Sequence, residues 1–437
     1  MAPNPTIMQA VEQLNYRVTV GDIAARTGLN INQSEQALLV LASDAGGHLQ
    51  VAESGEIAYQ FPRNFKAVLR NKFFRLQLQE WWQKVWQVLF YLIRVSFGLI
   101  LIASIALIFI AIAIILIALN SSRDSDSSGG DFGGDFNGGT VFAPTFWFSD
   151  WWFWVFYPNY DSPQYQYHRR EKPQLNFLEA IFSFLFGDGN PNANLAERRW
   201  QEIATVIRNN QGAVVAEQIA PYLDELGEGY SREYEDYMLP VLTKYNGRPE
   251  VSPEGQLVYH FPELQVTATQ QEIQPVAPYL REMPWRFSAA SSGQILLACG
   301  LGAVNLVGAL VLGNLLADGI IAAQIGGLVA FVQSIYLVLL IYGIAFLTLP
   351  LVRYFWLQWR NTKIAKRNQK REQRTSILNL ASAELKKKIS YARQFAAQNI
   401  INKEDLAYTT ETDLIEQEIA QKDKIDAEWQ RRLESGS

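Results

Sequence analysis

Apolar positions fall along this chain in two rhythms. Residues 95–119 are 25 positions without a charge, mostly Leu, Ile and Ala. As a helix this stretch would be roughly 37 Å long at 1.5 Å per residue, enough to cross ~30 Å of hydrocarbon. It has none of the polar face that a soluble core helix needs. A second apolar block begins at Gly293, where 295–316 reads as one span and 328–352 as another. Ala317, Asp318, Gly319, Gly326 and Gly327 supply a short turn between them, so an antiparallel hairpin is expected. Gly302, Ala309 and Gly313 leave room for close helix packing. Residues 141–157 are crowded with aromatic side chains and hold Pro144 and Asp150. They read either as a segment lying at the membrane interface or as a short crossing.

Outside these blocks the period shortens, and it repeats. Val51, Gly55, Ile57, Tyr59, Phe61 and Pro62 return as Val251, Gly255, Leu257, Tyr259, Phe261 and Pro262 with identical spacing. Upstream, VTVGDIAARTGL at 18–29 parallels VVAEQIAPYLDEL at 214–226, which points to an internal duplication. Each copy predicts an amphipathic helix (7–14; 200–209) and a short strand (18–20; 213–215). A helix carrying Ile23 and Ala24, or Ile219 and Ala220, follows, and then another helix (33–42; 231–245). Two short strands then meet at a Gly turn. That is the element order of a winged helix.

The expected fold class is therefore a mainly α membrane protein with two winged-helix-like α+β modules, at 1–64 and 200–264. Each leads into a transmembrane helical block, and a helical C-terminal tail follows. A basic amphipathic linker helix (65–94) precedes the first membrane block (95–157), which includes a flexible Gly/Ser/Asp loop at 120–140. Residues 158–199 form a linker with an apolar helix, 265–294 a second linker, 295–352 the hairpin, and 353–437 a charged tail of extended helices.

Charge sets the expected topology. Arg63, Lys66, Arg70, Lys72, Arg75 and Lys84 precede the first span against Glu80 alone. Arg353, Arg360, Lys363, Lys366, Arg367, Lys370, Arg371 and Arg374 follow the last against Glu372. Both flanks read as cytoplasmic, which demands an even number of crossings. Four are expected, with 141–157 as the fourth and Arg169, Arg170 and Lys172 inside after it. Asp150 would then sit in the membrane, where an ionisable group is costly. Arg94, near the inner end of the first span, is expected to snorkel to the headgroups. These two are the candidate intramembrane polar residues. Membrane lipids are partners by the same reading, and the basic start of the tail suits either anionic headgroups or solvent.

Composition mainly excludes. The 437 residues carry a net charge of −5 and one cysteine, Cys299, so no internal disulfide or Cys-based metal cluster can form. His48, His168 and His260 lie far apart, and no metal or other cofactor is expected. No P-loop, dinucleotide fingerprint or nucleophile elbow occurs, so the chain does not read as an enzyme. Met1 leads into Pro3, Asn4 and Pro5 without a basic or apolar leader region, so the first module is expected to start in the cytoplasm. The candidate recognition helix at 33–42 holds no Arg or Lys, and Asn32 with Glu35 fits a capping box. Its counterpart sets Arg232 and Lys244 among Glu233, Glu235 and Asp236. Groove insertion needs cations against phosphate, so a protein partner is expected and no nucleic acid. GDGNPN at 187–192 imitates a calcium loop through Asp188, Asn190 and Asn192, but Pro191, Ala193 and Arg199 break it. It reads as a turn and cap before a helix near Leu195.

FSFLFGDGNPN at 182–192, AERRW at 196–200, AEQIAPYL at 216–223 and EDLAYTTETDL at 404–414 resemble an uncharacterised integral membrane protein family of cyanobacteria and plastids. The likeness covers most of the chain. Some plant members carry a label for iron–sulfur cluster biosynthesis, from which this chain departs, since Cys299 alone cannot ligate a cluster. The resemblance implies a photosynthetic organism and a thylakoid, plasma or envelope-type membrane, and no catalytic residues. The expected function is a non-enzymatic membrane scaffold or assembly factor that recruits proteins through its modules. A small transporter or channel, suggested by Asp150, the glycine-rich hairpin and the duplication, is one alternative. A membrane-tethered transcription regulator is the other.

Overall fold

The computed structural model describes residues 4–72, 74–123, 175–227, 233–270, 272–317, 320–380 and 382–435. Residues 141–157 with Asp150, the basic trio Arg169, Arg170 and Lys172, and most of the 120–140 loop lie outside them. The described chain is mostly helical, with three long apolar helices and small sheets. It forms two compact units, one of residues 1–83, 191–284 and 361–437, the other of 84–190 and 285–360.

The first unit holds both copies of the repeat. In the first copy, helix Pro5–Gln13 precedes β1 (Arg17–Thr19), helices Val20–Thr27 and Ile31–Ala45, β2 (His48–Ala52) and β3 (Ile57–Gln60). Helix Val20–Thr27 starts at a reciprocal cap, where Thr19 and Asp22 side chains each accept the other's backbone N–H. In the second copy, helix Leu195–Asn209 precedes β4 (Ala213–Val214), helix Ala216–Ile219, helix Leu239–Tyr245, β5 (Arg248–Val251) and β6 (Leu257–His260). Here the second helix is only one turn long and gives way to a 3-10 turn at Ala220–Tyr222. Pro221 has no N–H to extend an α ladder.

The strand registers coincide. Tyr59 of the central β3 faces Val18 and Leu49, and Tyr259 of the central β6 faces Val214 and Pro249. Side chains two apart on a strand share a face. Tyr59 with Phe61, and Tyr259 with Phe261, accordingly enter the cores of their copies. Gly55 and Gly255 close the two hairpins at φ +90° and +82°, a conformation that glycine adopts without steric cost. Ala24, Ala25 and Ile31 of the first copy join Ile203, Ile207 and Tyr245 of the second in one apolar cluster. Gly21 makes that approach possible, because a Cβ there would lie 2.1 Å from the Glu263 carbonyl oxygen.

The C-terminal region departs from the extended helices expected for it. After helices ending at Asn379 and Ala392 come β8 (Asn399–Ile400) and β9 (Leu406–Thr409), then helix Leu414–Ser435. β9 adds antiparallel to β2, so the first sheet runs β1-β3-β2-β9. β8 pairs in parallel with β7 (Val266–Thr267). Strands of two and four residues are too short to show an alternating pattern, so they left no signal.

In the second unit the candidate spans fall in helices Trp81–Asn120, Ser292–Leu316 and Gly327–Asn379. The expected spans lie inside these helices but do not end with the apolar residues. Helix Phe74–Arg123 is continuous through most of the expected linker and past Asn120. Contacts between the second and third spans descend one helix as they climb the other: Gly302 meets Phe346, Leu306 meets Gly343, and Gly313 meets Tyr336. They form the expected antiparallel pair, with a short helix, Ile320–Ile325, set into the turn. The first and second spans instead ascend together, Ser104 beside Asn305 and Ile108 beside Gly308, and so run parallel.

Candidate functional site

The surface that best fits a binding role is the outer face of helix Ile31–Ala45. Its cap is Asn30, whose side chain accepts the Asn32 N–H, two residues earlier than the expected Asn32 and Glu35 pair. Leu38 and Leu41 are buried, whereas Leu39 and Val40 are 44% and 43% exposed beside exposed Gln36 and Ser43. The helix carries no cation. On its counterpart Leu239–Tyr245, Lys244 rests 4.7 Å above the Trp200 ring. Burial there pushes the Lys244 ammonium below its usual range. The one basic side chain of that helix is thus engaged within its own copy.

Two ion-pair networks rigidify the unit that carries this surface. Arg371 is 2% exposed and reaches Glu282 at 2.9 Å, Asp224, and the Leu280 carbonyl at 2.9 Å. Arg367 holds the same Glu282 with two bonds of 2.8 and 2.6 Å, and Arg199 holds Asp224. Burial raises the Glu282 pKa, but the Arg367 hydrogen bond and the Arg371 charge outweigh it and hold the carboxyl below its usual range. Asp224 is depressed in the same way, burial being outweighed by Arg371 and Arg199. In the second network Lys388 lies 3.0 Å from both Glu217 oxygens and 2.6 Å from Glu235. The Tyr259 hydroxyl donates to Glu235 at 2.8 Å, and burial followed by the Glu235 charge pushes its pKa up. Arg374 donates to the carbonyls of Leu223 and Ala220. Several cations at the start of the tail are therefore turned inward.

Where the two copies meet, a cavity of about 550 Å³ is lined by Gln9, Gln13, Arg26, Gln201, Asn209 and Gln274 among others. Asp22 and Arg208 pair at 2.8 Å on its wall. Its lining is rich in amides and also holds Asp22, Glu197 and Glu272. Among the described residues no group of three His, Cys, Asp or Glu side chains could hold a metal ion.

In the second unit Arg94 sits over the rings of Phe90 at 5.1 Å and Phe182 at 5.6 Å. Its charge is thus held by aromatic faces. Asp150 is outside the described residues. A polar contact that sequence reasoning missed joins Ser104 to the fully buried Asn305 at 2.9 Å between two spans. The signal was present, as Asn305 interrupts an otherwise apolar run. Asp188 accepts from Ser183 at 2.8 Å and from the Ala289 N–H at 2.7 Å, consistent with a structural turn. The next helix starts at Leu195 as expected, but Asn194 makes no side-chain cap bond. Asn192 instead exchanges two 2.8 Å bonds with the Met283 backbone.

The chain is 36% identical over 448 residues to an uncharacterised chloroplastic protein of Arabidopsis thaliana, At5g03900. The match covers 98% of this chain and 81% of the plant protein. The chain belongs to that protein's family. Together with the three apolar helices, this plastid-related kinship marks a membrane protein. No family model matches the chain, and no solved structure matches it.

Proposed function

We propose that the protein is a non-enzymatic scaffold or assembly factor of a photosynthetic membrane, recruiting proteins through two winged-helix modules. The observation that carries this reading is the face of helix Ile31–Ala45, with Leu39 and Val40 exposed beside Gln36 and no cation. In a winged helix this face does the binding, and its chemistry suits a protein surface better than phosphate. That argues against the regulator reading. Ser104 and Asn305 engage each other at a helix contact rather than lining a path, which lowers the transporter reading.

Both termini and both modules belong on one side, which we take as the cytoplasmic side. Support comes from the packing of 1–83, 191–284 and 361–437 into one unit. It comes also from the parallel run of the first two spans, since a chain that crosses twice in one direction must return between. Helix Phe177–Phe186 has ten residues, ~15 Å, too short for ~30 Å of hydrocarbon. The proposal therefore assigns the return to 141–157.

A photoreactive residue at Val40 in the full-length protein tests the binding face. Discrete protein adducts in native membranes, lost on Leu39→Glu, are expected. If adducts are absent, and the protein binds a mixed-sequence duplex at submicromolar concentration with affinity falling as salt rises, the regulator reading replaces this one.

A further inference from the structure

We propose that the C-terminal helix, Leu414–Ser435, pairs antiparallel with the same helix of a second copy of this chain. The inference does not depend on the scaffold reading.

The helix has 22 residues, about 33 Å at 1.5 Å per residue. Ile415, Ile419, Lys422, Asp426, Trp429 and Leu433 follow one another in steps of four, three, four, three and four. That is the spacing of a coiled-coil seam, with one stripe held toward a partner helix. All six are exposed, and Ile415, Ile419, Trp429 and Leu433 each keep between 62% and 70% of their surface open to solvent. Exposed apolar side chains in register, rather than scattered singly, mark an interaction surface. The start of the helix is tied to the preceding strand. Gln417 donates to the carbonyls of Thr409 at 2.7 Å and Thr412 at 2.8 Å, and accepts the Thr409 N–H at 2.9 Å.

The order of residues along the stripe names the partner. A twofold axis through the level of residue 424 sets Ile415 against Leu433, Ile419 against Trp429, and Lys422 against Asp426. Every level is matched, and the two central levels become opposite-charge pairs related by the twofold axis. Such an isologous contact is self-complementary and closes at two copies. A parallel pair would instead set Lys422 on Lys422 and Asp426 on Asp426, repulsive at both central levels. A polar layer in a seam costs stability but fixes register and orientation, which a three-heptad helix with few apolar levels needs. Confinement of both copies to one membrane raises their effective concentration and offsets the shortness of the contact.

The test uses the full-length protein with Cys299→Ala, in detergent and in bilayers. Ile419→Cys and Trp429→Cys variants carrying different tags are mixed and oxidised. The antiparallel pair predicts cross-links between the two variants and none within either. Lys422→Asp or Asp426→Lys alone creates two like-charge contacts per dimer and should weaken association about 30-fold. The double exchange Lys422→Asp with Asp426→Lys restores opposite charges and should restore the dimer. All the exchanged side chains are exposed, so the fold should be unaffected, and an unchanged unfolding midpoint checks this. Cross-linking of Ile419→Cys to itself, a monomeric wild type at micromolar concentration, or failure of the double exchange to rescue overturns the proposal.

Discussion

Replacing Arg371 by Met removes a buried guanidinium while keeping most of its volume, so the effect reports on charge rather than on a cavity. Complete loss of a partner from a buried ion pair costs about 3–5 kcal/mol. Here Glu282 keeps Arg367 and Asp224 keeps Arg199, which lowers that figure. The Leu280 carbonyl loses its donor, adding about 1 kcal/mol. A net loss of about 3 kcal/mol is expected. Hydrogen exchange of the central strand, Leu257–His260, measures it in the unit concerned, and protection should fall by about two orders of magnitude at neutral pH. The pH dependence carries a second check. Glu282 and Asp224 have depressed pKa values in the folded state. Their contribution is therefore fully present above the unfolded-state pKa values, near 4, and is lost as pH falls through the lower folded values. Removing Arg371 brings folded and unfolded values closer, so the gap between wild type and variant should narrow below about pH 4. Lys66→Met, which breaks an exposed pair with Glu12, should cost under about 1 kcal/mol. Protection in Arg371→Met within threefold of wild type, or a gap that widens in acid, would refute the reasoning.

Further substitutions have defined outcomes. Gly302→Ala should weaken the hairpin, because its Cβ would lie 2.5 Å from the Phe346 ring, whereas Gly300→Ala meets nothing within 4 Å and should be neutral. Thermal unfolding in detergent distinguishes the two. Gly21→Ala should loosen the contact between the repeats, its Cβ meeting a backbone oxygen that cannot move aside, and limited proteolysis between residues 262 and 284 should accelerate. Lys388→Met should destabilise the first unit by about 3 kcal/mol, and adding Glu235→Gln should recover part of it, because the stranded carboxylate is then neutral. Equal unfolding midpoints for the single and double variants would count against that account.

The spans and the repeat were legible because each rests on a pattern longer than ten residues. An uncharged run of 25 residues has few alternatives, and the Gly, Tyr and Phe-Pro spacing reappeared as matching strand registers. The ends of the elements were less legible. Helices continue beyond their apolar parts into charged sequence that is itself a good helix former, as in Gly327–Asn379. The inward role of Arg371 and Lys388 was hidden for another reason. Their partners, Asp224, Glu282, Glu217 and Glu235, lie about 90 to 170 residues away in sequence, and a charged run looks the same whether it faces water or acids. Asn305 was legible and went unread.

The two copies also show how one sheet edge can be closed in two ways. In the first, Leu49 on the outer strand sends both its N–H and its carbonyl outward, and Thr410 takes both, at 2.9 and 3.0 Å, as β9 joins the sheet. Pro249 holds the same register position in the second copy, opposite Tyr259 as Leu49 is opposite Tyr59. Proline has no N–H, so the outward donor that β9 satisfies in one copy is deleted in the other. The Tyr391 hydroxyl then donates to the nearby Val251 carbonyl at 3.2 Å. An open edge invites pairing with other chains, and here the outer side of β2 is covered by β9 while β5 carries a proline on its outer side. A partner adding a strand would meet β9 as the outer strand of the first sheet, where Gln417 already engages the Thr409 N–H and carbonyl, and in the second copy would meet an outer strand without its central donor. Strand addition is therefore disfavoured at these two edges, and under the scaffold proposal the exposed helix face at Gln36, Leu39 and Val40 is the surface offered to a partner.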